Sequence, residues 1–171
     1  MENNNNKFHK VSIEEWLKSN STNTFPPCTI SQLTEAYSKI ELPTRSSKHS
    51  AGYDFKIPYS VTIEPHSSVV INSGVSCELD TNKFLQLVPR SSIGIKKGLY
   101  LLNTLGVIDS DYFSNSDNGG HIKIALGNTT DKAVKLQAGD KVIQGIILEY
   151  FLTNDDDAQS ERIGGIGSSG R

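Results

Sequence analysis

Two short stretches of the chain combine residue types that could carry out chemistry. In the first, Asp109 directly follows a run of apolar, β-branched residues. A carboxylate at the end of an apolar strand either caps a turn or faces a site. In the second, Arg90 precedes Ser91 and Ser92 just after another apolar run. A guanidinium fork, two hydroxyls and nearby backbone amides form a good phosphate-binding set, and the alternative is a solvated turn.

A third candidate is the glycine-rich segment that follows Arg162. Its backbone amides are unobstructed by side chains, so together with Arg162 and the hydroxyls of Ser168 and Ser169 they could wrap an anion. A Walker loop is excluded, because no Gly-Lys-Ser/Thr sequence follows the glycines. The alternative interpretation is an ordinary flexible Gly-Ser end.

Other common catalytic patterns find no support in the sequence. The four histidines show neither the H-E-x-x-H pattern nor paired metal-ligand spacing. No G-x-S-x-G elbow is present, so nucleophilic serine catalysis is unsupported. Each histidine is therefore interpreted as a surface or strand residue.

Short strands must position the candidate residues. From about residue 29 to 150, runs of β-branched residues alternate with turn residues at a spacing of roughly ten, which predicts an all-β barrel or sandwich. In HIKIAL at 121–126, strict alternation places Ile122, Ile124 and Leu126 on a core face, with His121 and Lys123 on the other face.

The sequence divides into three parts. Residues 1–28 are predicted to be an N-terminal extension, in which Ser12 and Glu15 have the spacing of a capping box and predict a short amphipathic helix up to Lys18. That helix is either docked on the surface or binds a partner. Residues 29–152 are predicted to form the β-barrel, and residues 153–171 a mobile C-terminal segment.

Composition narrows the class of protein further. The 17 Lys plus Arg and 19 Asp plus Glu give a net charge of −2, which does not favour binding to nucleic acid. No run of about 18 apolar residues and no leader-like start is present, so we expect no membrane association. Two cysteines, Cys28 and Cys77, cannot build a disulfide framework. An intracellular location, cytoplasmic or nuclear, is expected.

Five ordered motifs resemble those of the trimeric dUTP diphosphatase (dUTPase) family, and the resemblance covers about residues 29–171. The motifs are AGYD at 51–54, PRSS at 89–92, NTLGVIDSDY at 103–112, GDKVIQ at 139–144 and RIGGIGSSG at 162–170. There are two main departures from the family pattern. FSNSDNGG at 113–120 replaces a shorter turn and lengthens a hairpin beside the nucleoside site, and Ile166 stands where many members have a Phe over the uracil.

The resemblance implies a distorted jelly-roll β-barrel that hydrolyses dUTP to dUMP and diphosphate. Water would attack the α-phosphorus with the help of Mg²⁺, which is the implied cofactor. Such an enzyme keeps uracil out of DNA and supplies dUMP for thymidylate synthesis. The resemblance also implies a homotrimer whose active sites are shared between subunits, with the C-terminal segment closing over the phosphates.

The resemblance also assigns roles to individual residues. Asp109 and Arg162 are the implied catalytic residues, Tyr112 packs against the sugar, and Asp54 acts on Mg²⁺ through water while the substrate phosphates hold the ion. The other implied substrate-binding residues are Arg90, Ser91, Ser92 and Gln144 at the phosphates, Asn103, Gly106, Val107, Ile108 and Lys123 at the uracil, and Ile166, Gly167, Ser168 and Ser169 in the C-terminal segment.

Two rival functions remain open at this point. A dCTP deaminase resembles the family in fold and phosphate handling, but Asp109 with Tyr112 and the glycine-rich segment fit the diphosphatase better. A trimeric binding module could have kept the nucleotide site and act through partners that dock on the N-terminal extension. Diphosphate from dUTP, ammonia from dCTP, or no product would distinguish the three.

Overall fold

The computed structural model describes residues 5–21, 28–159, 162 and 164. These residues contain two α-helices, α1 (Ile13–Ser21) and α2 (Ile30–Ser38), and two short helical turns at Ser92–Lys96 and Ser110–Tyr112. The strands are β1 (Lys7–Lys10), β2 (Thr44–Arg45), β3 (Tyr53–Lys56), β4 (Val61–Ile63), β5 (Ser68–Asn72), β6 (Val75–Glu78), β7 (Lys83–Pro89), β8 (Leu99–Leu101), β9 (Gly106–Asp109), β10 (Lys123–Asn128), β11 (Val134–Leu136) and β12 (Lys141–Glu149).

The strands form antiparallel sheets whose apolar faces meet in one core. The larger sheets have the orders β2-β3-β12-β7-β9 and β5-β10-β8, and two further pairs join β1 to β6 and β11 to β4. The predicted alternation of β10 is confirmed, because Ile122, Ile124 and Leu126 are fully buried in the core. The interpretation of His121 as a surface or strand residue is wrong. His121 precedes β10 and is fully buried, because Glu15, Trp16 and Ser19 of α1 lie against its ring.

The N-terminal helix is confirmed, and it lies against the barrel. The backbone N–H of Glu15 donates to the Ser12 hydroxyl at 3.1 Å, which is one half of the predicted capping box, and α1 continues to Ser21. The indole of Trp16 is fully buried in the core, and its Nε1 donates to the carbonyl of Leu33 at 2.8 Å. These contacts favour a docked helix over one held out for a partner.

The prediction of strands from residue 29 onward is wrong for α2. Thr29 and Gln32 form a complete capping box, in which the Thr29 hydroxyl accepts from the Gln32 backbone and the Gln32 side chain accepts from the Thr29 backbone. Leu33 is buried beneath the helix. The two cap bonds, the burial of Leu33 and the packing of Ala36 and Tyr37 against the core stabilise a helix where the composition resembles that of the strands that follow.

The connection at 113–120 does not close a hairpin, contrary to the prediction. β9 pairs with β7 in the five-stranded sheet, whereas β10 pairs with β5 and β8 in the three-stranded sheet. The segment therefore crosses from one sheet to the other. No helix among the described residues is long and apolar enough to cross a membrane.

Candidate active site

One cavity of about 250 Å³ gathers most of the residues expected at the nucleoside. We call it the nucleoside cavity. Its walls contain eight of the predicted site residues and two others, Leu87 and Leu101, which sequence reasoning missed. The ten residues are Leu87, Leu101, Asn103, Gly106, Val107, Ile108, Asp109, Tyr112, Lys123 and Arg162.

Strand β9 and the turn before it form one side of the nucleoside cavity. The ladder to β7 pairs Gly106 with Leu87, and a Cβ at Gly106 would lie 3.1 Å from the Leu87 side chain. Glycine therefore allows the close approach of the two strands here. Asn103 lies in the turn at the end of β8, where its carbonyl accepts from the Leu105 backbone N–H. Backbone N–H and C=O groups of this turn and of β9 are the groups that can read the edge of a base.

Asp109 lies at the rim of the nucleoside cavity in contact with Arg162. The Arg162 guanidinium donates from Nη2 to Asp109 and from Nε to Asp111, both at 2.9 Å. Its Cζ lies 5.5 Å from the centroid of the Tyr112 ring. The Asp109 side chain is 48% exposed, so water and substrate can reach it. Arg162 is thus a cation that the fold places directly beside the candidate general base.

Tyr112 is held in the wall of the cavity from two directions. Its hydroxyl donates to the His121 carbonyl at 3.0 Å and accepts from Asn118 Nδ2 at 3.0 Å. Burial raises the pKa of Tyr112, which keeps the phenol neutral. A buried ring with both hydroxyl bonds made is a rigid wall.

A second cluster surrounds Asp54, and we call it the phosphate cluster. The Asp54 carboxylate accepts from Arg90 Nε at 3.0 Å, from Lys141 Nζ at 2.8 Å and from the Ser46 hydroxyl at 2.5 Å. Burial acts to raise the pKa of Asp54, but the bonds from Lys141 and Ser46 and the charge of Arg90 outweigh it and hold the pKa below its usual range. Sequence reasoning missed Lys141 and Ser46.

The other predicted phosphate residues lie beside this cluster. Gln144 on β12 pairs in register with Asp54, and a Cβ at Gly52 would lie 2.3 Å from Gln144 Oε1, so glycine is required there for the side chain to fit. Ser91 is exposed and Ser92 begins a short helical turn directly after Arg90. Basic, hydroxyl and amide donors are therefore arranged together, as a polyphosphate requires.

The nucleoside cavity and the phosphate cluster adjoin different parts of β7. The β7–β9 ladder pairs Asp109 with Phe84, and Arg90 follows Phe84 by six residues along and just beyond β7. At about 3.3 Å per residue, this places the Cα atoms of Phe84 and Arg90 about 20 Å apart.

The remaining predicted residues lie outside the described part of the chain. These are Ile166, Gly167, Ser168 and Ser169. Of the last motif, the structure describes Arg162 and Gly164 alone.

The described residues offer few ligands to Mg²⁺, the cofactor that the family resemblance implies. They contain no group of three or more His, Cys, Asp or Glu side chains that could hold a metal ion. Both oxygens of Asp54 already accept from cationic groups, which does not suit a direct Mg²⁺ ligand.

An antiparallel β-barrel that holds a nucleoside-sized cavity beside a carboxylate, and a basic cluster elsewhere, belongs to the nucleotide-processing class. The dUTPase family model matches residues 38–170. A deoxyuridine 5′-triphosphate nucleotidohydrolase of Lactococcus lactis is 39% identical over 133 residues, which cover 77% of this chain and 89% of that protein. The chain belongs to the dUTPase family.

Solved structures agree with this result. The dUTPase of Streptococcus mutans superposes with a TM-score of 0.63 at 41% identity, covering 66% of this chain and 88% of that one. A dUTPase from phage phi11 of S. aureus shares the fold, with a TM-score of 0.64 over 92% of this chain and 97% of that one, at 18% identity. The predicted family, all-β jelly-roll fold class and dUTP-hydrolysing activity are confirmed.

Proposed function

We propose that the chain hydrolyses dUTP to dUMP and diphosphate in a homotrimer, at sites that join the nucleoside cavity of one chain to the phosphate cluster of another. The observation that carries this proposal is the nucleoside cavity, where a base-reading turn, a rigid aromatic wall and an accessible carboxylate meet. The role of each residue follows from its position.

Uracil enters beside β9 and is read by backbone groups of Gly106 to Ile108 and by Asn103, with Lys123 on the facing strand. Buried backbone donors and acceptors reject a base whose edge does not match them, because each group left unpaired costs about 1–3 kcal/mol. The Tyr112 ring packs against the sugar and leaves no room for a 2′-hydroxyl.

Asp109 orients the attacking water at the α-phosphorus and accepts its proton. Arg162 lies 2.9 Å from this carboxylate and is placed to neutralise charge once phosphate arrives. The water oxygen bonds to the α-phosphorus as Asp109 accepts the water proton. The bond from the α-phosphorus to the bridging oxygen breaks, and diphosphate departs with the electrons of that bond.

The phosphate cluster binds the polyphosphate through Arg90, Ser91, Ser92 and Gln144. Asp54 bonds Nε of Arg90 and thereby fixes the plane of the guanidinium, whose two NH₂ groups can then donate to phosphate. When bound with the substrate, Mg²⁺ would neutralise part of the phosphate charge. Both oxygens of Asp54 already accept from cations, Arg90 and Lys141. We therefore propose that Asp54 affects Mg²⁺ and its bound water indirectly, by orienting these two cations.

Sharing of sites between subunits is supported by the separation of about 20 Å along β7 between Phe84, which pairs with Asp109, and Arg90. Ile166, Gly167, Ser168 and Ser169 are assigned to the closure over the phosphates. We also assign an intracellular location, cytoplasmic or nuclear, because Cys28 and Cys77 form no disulfide.

Subunit complementation tests the proposal. Asp109→Asn chains and Arg90→Ala chains are each expected to be nearly inactive and trimeric by light scattering. After subunit exchange, mixed trimers should release diphosphate from dUTP and no ammonia from dCTP, since one nucleoside cavity and one phosphate cluster in each mixed pair are intact. No recovery after proven exchange would place the whole site within one chain.

A further inference from the structure

Two parts of the chain that depart from the family pattern lie together beside Tyr112. One is the N-terminal segment at residues 7–21, which precedes the match to the family. The other is the connection at 113–120. We call the two together the Tyr112 support. Its two parts meet at several points. The rings of His9 and Phe113 are 5.1 Å apart, and Lys18 Nζ donates to the Asp117 carbonyl at 2.8 Å.

The connection is built around two buried asparagines. Asn115 Nδ2 donates to the Tyr112 carbonyl at 2.8 Å and to Asn118 Oδ1 at 2.9 Å. Asn118 Oδ1 also accepts from the Gly120 backbone, and its Nδ2 donates to the Tyr112 hydroxyl. Gly120 has a φ of 77°, and a Cβ there would lie 2.8 Å from the Tyr112 carbonyl. These bonds form a closed polar network around Tyr112, and together they restrict the conformation of the connection.

His121 continues the network into α1. Its Nε2 accepts from the Gly74 backbone at 2.9 Å, so the proton of the neutral ring lies on Nδ1. That nitrogen faces Ser19 Oγ at 3.3 Å and Glu15 at 3.5 Å, both on α1. The His121 carbonyl in turn accepts from the Tyr112 hydroxyl. An unbroken series of contacts therefore joins the N-terminal helix to the wall of the nucleoside cavity.

We propose that Asn118 is a positioning residue and that the Tyr112 support fixes the Tyr112 ring against the sugar, so that it sets the preference for deoxyribose over ribose. The proposal rests on the proposed role of Tyr112 in the site. A ring held by two hydroxyl bonds cannot tilt away to admit a 2′-hydroxyl. A ring that has lost one bond can tilt, and the penalty for a ribonucleotide falls.

The test is a double-mutant cycle that measures the ratio of kcat/KM for dUTP to kcat/KM for UTP. Tyr112→Phe keeps the ring and removes both hydroxyl bonds. Asn118→Ala removes the bond to the Tyr112 hydroxyl, together with the bonds that Asn118 accepts from Asn115 and Gly120. Asn118→Ala is expected to lower the ratio about 3- to 10-fold, the range for losing one neutral hydrogen bond to the Tyr112 hydroxyl, and Tyr112→Phe, which loses both, at least as much; kcat for dUTP should change less. In the Tyr112→Phe background, Asn118→Ala should lower the ratio less than about 2-fold.

The outcomes separate the proposal from a purely structural role. An unchanged ratio in Asn118→Ala, or an equal fall in both backgrounds, would overturn it, even where thermal stability is reduced. If Asn118→Ala does not fold, Asn118→Asp takes its place in the cycle, because it keeps the acceptor for Asn115 and Gly120 and loses the donor to the Tyr112 hydroxyl. An unchanged ratio in Tyr112→Ala would remove Tyr112 from the sugar and overturn the proposal. Diphosphate release from dUTP by the unaltered enzyme tests the proposed function separately.

The N-terminal part of the support has its own test. His9→Ala combined with Lys18→Ala removes two contacts to the connection and leaves its internal bonds intact. This variant should lower the ratio measurably, whereas Lys39→Ala, which breaks an exposed ion pair on α2, should leave it unchanged. If the two variants have equal ratios, the N-terminal segment does not contribute to the support.

Discussion

Acidification is expected to destabilise this protein mainly through His121. Burial lowers the pKa of His121 from its ordinary 6.5 to about 4, while Glu15 on α1 acts in the opposite direction and Lys123 on β10 adds to the lowering. His121 therefore binds a proton near pH 6.5 in the unfolded chain but only near pH 4 in the folded chain. Because the unfolded state takes up more protons in this window, stability is full above pH 6.5 and falls as the pH is lowered.

The size of the effect follows from the two pKa values. Between pH 7 and pH 5, the linkage relation gives a loss of about 2 kcal/mol in the free energy of unfolding. Asp54 does not contribute in this window, because its pKa lies below the ordinary 3.8 and its stabilisation is lost only in stronger acid. The loss is large against the 5–15 kcal/mol of a typical domain.

Urea denaturation at pH 7, 6 and 5, at one fixed protein concentration, measures the loss. The variant His121→Gln should be less stable at pH 7 but should lack most of the pH dependence. The exposed His66, which pairs with Asp131 at the surface, provides the matched control, and His66→Gln should keep the dependence of the unaltered protein. An equal slope in His121→Gln and the unaltered protein would refute the assignment.

Three further predictions concern individual side chains. Asp109→Asn should keep binding of dUTP, measured by calorimetry, but lower kcat by about two to four decades, the usual contribution of a positioned base; an unchanged kcat would remove Asp109 from the chemistry. Arg162→Ala should lower kcat more than it weakens binding of a non-hydrolysable dUTP analogue, and equal losses would restrict Arg162 to binding. Trp16→Ala should lower the free energy of unfolding by about 3–5 kcal/mol, because it empties a fully buried site; a loss below about 1 kcal/mol would show that α1 is not part of the core.

The sequence predicts those parts of the site that are local. Gly106 to Asp109 are consecutive, so their arrangement in β9 follows from the motif itself. Leu87 was not predicted, because its position in the nucleoside cavity depends on the register between β7 and β9. Alternation along FLQLV indicates which residues of β7 point inward, but it does not reveal which strand lies next to it.

Lys141 and α2 were missed for different reasons. Lys141 reaches Asp54 only because β12 pairs with β3, a contact between distant parts of the chain. The helix α2 had a local signal, the capping box of Thr29 and Gln32, which was hidden by the β-like composition around it. The sequence does not reveal the register between β12 and β3, whereas the capping box of α2 can be read from the sequence and was overlooked.

Pairing of β1 with β6 has a consequence during synthesis of the chain. Lys10 pairs with Val75, and a ribosome that adds about 5–20 residues per second needs about 3 to 13 seconds to make the 65 residues that separate them. The strand β1 is therefore synthesised before β6, and within the described residues β6 has no other ladder partner. Loss of residues 7–10 by proteolysis would leave the backbone of β6 exposed as an edge, and such an edge can recruit strands from neighbouring molecules and seed aggregation.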